Sequence, residues 1–159
     1  MQPQRAFLSY AHADMDFYNR FKPHLTAVKR AFGLPIWTDH QITGGTLWED
    51  SIARAIAEAQ VFFLLMTPSF IGSDYVFDTE LPAIALRQAS GALVLPVLLR
   101  PCIWDLVVKA RLVVPRNTSN QLHAISDWQP QESGFHASSV QIIKAIAAHF
   151  GVSSRGPAL

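Results

Sequence analysis

The chain of 159 residues contains a single cysteine, Cys102, so no internal disulfide can brace it. Charge is also scarce. Charged residues make up 16% of the chain, they balance to a formal +1, and no run of basic side chains occurs, which removes the electrostatic footprint of a nucleic-acid-binding domain. No apolar stretch is long enough to cross a bilayer; Ala92 to Leu99 (ALVLPVLL) has the length of a buried strand. The start, MQPQRAFLSYAHAD, has no basic flank leading into an apolar signal-peptide segment. These absences lead to the expectation of a cytoplasmic protein with neither membrane nor nucleic acid as a partner. What is plentiful is apolar surface. Half of the residues are hydrophobic, enough for one domain to bury a core without disulfide or metal, and residues 1–150 read as that domain. The Ser-, Gly- and Pro-bearing stretch 151–159 reads as a flexible tail or a linker to a further domain.

In chain order, Ala6 to Tyr10 predicts a strand. Asp14 then stands as the N-cap of a helix over about Met15 to Ala31, whose Phe17, Phe21, Leu25 and Val28 share one face, and Gly33 stops it. Leu34 to Thr38 predicts an edge strand, because Pro35 cannot donate to a ladder. A loop from Asp39 to Leu47 contains Gly44-Gly45, turn residues that keep it mobile. Thr46 and Glu49 have the spacing of a capping box opening a helix over Trp48 to Ala59. Val61 to Met66 (VFFLLM) does not alternate, as expected of a central strand covered on both faces. Ser73 predicts the N-cap of a helix toward Arg87, broken by Pro82, which deprives the Asp78 carbonyl of its amide partner and leaves Glu80 beside the break. Ala92 to Leu99 predicts a fourth strand, Leu106 to Ala110 a short irregular helix, Gln121 to Ile125 a fifth strand, and Val140 to Phe150 a final helix. The expected fold is α/β: a flavodoxin-like, doubly wound parallel sheet of five strands in the order second, first, third, fourth, fifth, with helices on both faces. In that order the ligand crevice lies beyond the strand C-termini, between the first and third strands.

The same stretches carry a resemblance. FLSYAHAD resembles the opening box of bacterial-type Toll/interleukin-1 receptor (TIR) domains. Trp37, Thr38, Asp39, Ile42, Gly45 and Trp48 resemble their second strand and the long loop after it. Pro68, Ser69, Phe70, Ser73, Asp74, Tyr75, Glu80 and Leu81 resemble the box after the third strand, and LPVLLRPC (95–102) the following strand. The boxes run in order over roughly residues 6–128. The resemblance implies an NAD+ nucleosidase with Glu80 catalytic, NAD+ as substrate and no added cofactor. It further implies assembly through TIR–TIR contacts, with the loop carrying Asp39, Ile42, Gly44 and Gly45 completing a neighbour's pocket. For bacterial members it implies an effector in anti-phage immunity, with a fused or separate sensor. One position departs from the family pattern: Val76 stands where many members have an aromatic four residues before the glutamate, and the nearest aromatic is Tyr75.

One carboxylate suits this reaction. Most glycosidases need two, because a poor leaving group must be protonated while a nucleophile is supplied. Nicotinamide is cationic in NAD+ and leaves neutral, so a single carboxylate that stabilises the developing oxocarbenium ion is enough. Candidate substrate contacts are Ser9, Tyr10, Asp39, Ile42 and Ser73, with Trp37, Trp48, Tyr75 and Phe77 as aromatic walls; Phe7, inside its strand, reads as core.

Other readings compete at each position. A lone glutamate is most often a solvated helix residue, and Trp48 serves packing as readily as a pocket. Gly44-Gly45 lacks the spacing of a phosphate loop. The six histidines have no ligand-like spacing with one another or with Cys102, so no metal site is expected, and Cys102 reads as a small buried residue. A non-catalytic TIR scaffold, acting through homotypic or host TIR contacts, is the alternative function. In that case Glu80 would be neutral and the Asp39 to Trp48 loop an interaction surface.

Overall fold

A computed structural model describes residues 2–38 and 48–155, the side chains of residues 48 and 49 excepted. Strands β1 (Ala6–Ser9), β2 (Ile36–Thr38), β3 (Val61–Met66) and β4 (Leu93–Leu98) form one parallel sheet in the order β2-β1-β3-β4. Helices α1 (Met15–Phe32) and α5 (Gln131–Phe150) cover one face, and α2 (Trp48–Glu58), the one-turn α3 (Pro68–Ile71) and α4 (Leu81–Ala89) lie on the other. Alternation along the strands builds both cores. Ala6, Leu8, Val61, Phe63 and Leu65 pack toward α1 and α5, whereas Phe7, Phe62, Leu64 and Met66 pack toward α2 and α4. Every residue of β3 is buried, which is why its sequence does not alternate.

The sheet reverses its winding between β1 and β3, so the crevice opens beyond their C-terminal ends. Pro35 precedes the edge strand β2, and its carbonyl accepts from the Ala6 N–H at 2.9 Å. Gly33, at φ 60°, closes α1 in the left-handed conformation that glycine adopts without a Cβ penalty.

Among the described residues four strands form, not five. At the position of the fifth, Val114 makes a single parallel bridge to Val97, bonding Pro96 and Leu98. Proline at 115 supplies no donor. Arg116, the next residue able to extend the ladder, instead gives its N–H and C=O to the Gln141 side chain of α5, each at 2.8 Å. At the expected strand Gln121 to Ile125 the chain comes out of a turn at Asn117, makes one antiparallel bridge from Leu122 to Arg116 and enters a 3-10 turn at Ile125.

The last helix starts at Gln131, nine residues earlier than Val140. Its first half is poor in helix formers, but Phe135 packs edge-on against Phe17 and stacks on Phe21, and Gly134 leaves the space that Trp128 fills. The irregular helix expected at Leu106 to Ala110 is a 3-10 turn, Trp104–Leu106. Beyond α5 the chain folds back, and the Arg155 N–H donates to the Ala31 carbonyl at 2.7 Å.

Candidate active site

Glu80 owes its position to Pro82. The helix begins at Ser73, whose hydroxyl accepts from the Val76 N–H at 3.3 Å, as an N-cap should. Across Val76–Glu80 the chain widens into a π turn, and the Leu81 N–H bonds back to the Val76 carbonyl, five residues earlier. The extra residue in that turn brings Pro82 to the junction where the π turn passes into α4, so the proline's missing donor falls at the change of helix type. The expected break at Pro82 is thus an inserted π turn, a feature often found at functional sites.

The consequence falls on Glu80. Val76, Glu80 and Ile84 are buried, while Phe77, Asp78 and Thr79 are exposed, so a carboxylate occupies the inward stripe of the helix. Only 2% of Glu80 is accessible. A carboxylate is costly to bury unless hydrogen-bonded, and Ser9, at the end of β1, donates its hydroxyl to Glu80 Oε1 at 2.8 Å. Ser9 has the parity of Phe7 and so faces α4. Two residues 71 positions apart meet at the switch point of the sheet.

The other candidates separate into groups. Ser73, Tyr75 and Phe77 share the Glu80 helix; Phe77 is 43% exposed and Tyr75 half-buried. Tyr10 points to the opposite face of the sheet, buried in the α1/α5 core and stacked on Tyr18 with ring centroids 4.6 Å apart. Trp37 stacks on Phe7 at 5.3 Å and borders a hollow of about 290 Å³ with Arg5, Arg54 and Glu58, toward the N-terminal end of β1 and away from the crevice. Phe7 itself is core. Asp39, Ile42, Gly44, Gly45 and the side chain of Trp48 lie outside the described residues, as does the Thr46/Glu49 capping box.

A second polar cluster at this rim escaped the sequence reading. Asp14 occupies the N-cap position of α1, but its carboxylate does not cap the helix. Instead it accepts from the Thr67 hydroxyl and, at 2.9 Å, from Arg100 Nη2, which also reaches Ser69 Oγ at 3.4 Å. Segments following β1, β3 and β4 are tied together there. The sequence shows only that Asp14 and Arg100 each stand just beyond a buried apolar strand, which does not by itself pair them. Cys102, two residues on, has its thiol pKa pushed up by burial, an effect that the Arg100 charge partly offsets. Among the described residues no three His, Cys, Asp or Glu side chains gather as a metal-ligand set.

Residues 6–135 match the family described as TIR domain. The chain belongs to the TIR domain family. This TIR domain is also 30% identical over 151 residues to the protein y4lF of Sinorhizobium fredii (strain NBRC 101917 / NGR234), itself described as uncharacterized. That match covers 94% of the chain and 44% of y4lF, so the TIR domain spans less than half the length of this relative. No helix among the described residues is long and apolar enough to cross a membrane.

Proposed function

We propose that this TIR domain is an NAD+ nucleosidase that releases nicotinamide, by hydrolysis to ADP-ribose or by closure to a cyclic ADP-ribose. The observation that carries the reading is the buried Glu80 carboxylate held by Ser9 at the switch point. Breaking the bond between nicotinamide and ribose C1′ sends its electron pair to the ring nitrogen, so nicotinamide departs neutral and positive charge develops on the ribose. Glu80 stabilises that charge and accepts hydrogen bonds from the ribose hydroxyls; Ser9 holds the carboxylate in place. Water or another nucleophile within the same ADP-ribose then attacks C1′. Phe77 and Tyr75 supply apolar walls near the nicotinamide.

Activity gated by self-assembly, with the 39–47 loop of one copy completing the site of the next, belongs to the same proposal. So do a sensor that triggers it and a role in bacterial anti-phage immunity. Ile103 and Leu106, large apolar residues exposed just beyond β4, fit a surface that associates. They favour equally the second reading, a scaffold that binds other TIR domains without catalysis. The test is nicotinamide release from NAD+ by the purified protein and by Glu80→Gln. The enzyme reading expects release that falls by about a hundredfold or more in the variant, the scale of losing one well-placed electrostatic group. The scaffold reading expects assembly without release in either protein.

A further inference from the structure

Dinucleotides carry two phosphates, and the crevice offers little positive charge to meet them. The segments following β1, β2 and β3, residues 10–14, 39–47 and 67–75, contain neither lysine nor arginine. Among the described residues, Arg100, reached as the chain leaves β4, is the permanent cation hydrogen-bonded to the first and third of these segments. Its backbone N–H is anchored on the Met66 carbonyl at the end of β3, and its guanidinium reaches Asp14 beyond β1 and Ser69 beyond β3. Ser9 pairs with Leu64, whereas Thr67, which shares Asp14 with Arg100, lies three residues further along the chain from β3, so the guanidinium stands beyond the strand ends on the outer side of Ser9, on the order of 10 Å or more away. In the substrate the diphosphate lies one ribose away from the bond that breaks.

The geometry of the guanidinium suits an anion. Nη2 serves both Asp14 and Ser69, and among the described residues no hydrogen bond engages Nε or Nη1. The side chain is 40% exposed, while that of Asp14 is buried. One end of the planar fork is therefore clamped, so little rotamer freedom remains to be lost on binding, and the N–H groups left over match a phosphate. Asp14 neutralises much of the charge, which makes Arg100 an oriented donor more than a long-range attractor.

We propose that Arg100 is the phosphate-binding residue of the crevice, holding the diphosphate of the dinucleotide through the N–H groups that Asp14 and Ser69 leave unengaged. The substrate identity rests on the nucleosidase reading; the anion site does not. Two measurements separate them. In the first, inorganic pyrophosphate is titrated into the wild-type protein, Arg100→Gln and Arg100→Lys, followed by calorimetry and amide chemical shifts. Pyrophosphate binding weakened about tenfold or more in Arg100→Gln, and less in Arg100→Lys, supports the site even if no NAD+ is ever cleaved. Equal binding in wild type and Arg100→Gln overturns it, even if NAD+ cleavage depends on Glu80. In the second, kcat/KM is compared for NAD+ and for nicotinamide riboside, which lacks the diphosphate. Arg100→Gln lowers the NAD+ value at least about tenfold more than the nicotinamide riboside value, chiefly through KM. Equal losses on both substrates mean that Arg100 only props the rim, and overturn the proposal.

Discussion

Glu80 and Ser9 are unequal partners. The carboxylate is the expensive member, buried on a stripe that Val76 and Ile84 make apolar, and the serine hydroxyl offsets part of that cost. Removing the hydroxyl leaves the carboxylate in place but less well held. A hydrogen bond to a charged group contributes about 1.5–3 kcal/mol, so Ser9→Ala should lower kcat for nicotinamide release by about tenfold to a hundredfold. Its circular dichroism should stay native. Glu80→Gln keeps an acceptor for Ser9 and removes a buried charge, so its melting temperature should equal or exceed that of the wild type, since a site built for chemistry is seldom the most stable arrangement. A melt several degrees lower would mean that Glu80 is structural. Glu80 was legible in the sequence through the ordered motif around it, and Ser73 as an N-cap through its spacing. Asp14 was not. An aspartate just before a helix ordinarily caps it, and nothing local shows that Thr67 and Arg100, far along the chain, compete for the same carboxylate.

At the scale of elements, the strands were readable because a fully covered parallel sheet needs uninterrupted apolar runs, and Val61–Met66 and Leu93–Leu98 supply them. What failed were the places where tertiary partners overrule local pattern. Gln141 ends the outer ladder from a helix 25 residues away, so no property of Gln121 to Ile125 could reveal it. The first half of α5 hides behind Ser133, Gly134, Ser138 and Ser139, weak helix formers held helical by the packing of Phe135 and Trp128. Gly134 shows which force wins. An added Cβ there would lie 2.8 Å from the Trp128 ring and 3.2 Å from the Ile125 backbone. Alanine gains about 1 kcal/mol in helix propensity but overpacks the site, so Gly134→Ala should be destabilising by about 1–3 kcal/mol in urea unfolding. A stabilised variant would show that Trp128 moves freely. Pro82 is the opposite case: its effect was legible as a break, but the π turn that absorbs it depends on where Glu80 and Val76 can be buried.

For the whole molecule, the sheet order places Ser9, Glu80, Asp14, Thr67 and Arg100 at one rim, as expected for a ligand crevice at the winding switch of a parallel sheet. Tyr10, at the end of the first strand, and Trp37, the aromatic of the second-strand box, are candidate contacts that stand apart from them. One-residue parity sends Tyr10 to the far face, and Trp37 turns toward β1 and α2. If a neighbouring copy completes the site, nicotinamide release should rise faster than linearly with protein concentration, in step with assembly followed by light scattering. A strictly linear dependence would mean that each copy works alone. The most direct test of the central claim is nicotinamide release from NAD+ at a concentration where the protein assembles, wild type against Glu80→Gln, each checked by its melt. The account predicts release by the wild type and a loss of about a hundredfold or more in a variant that is as stable and assembles as well. Equal release by both proteins would contradict it.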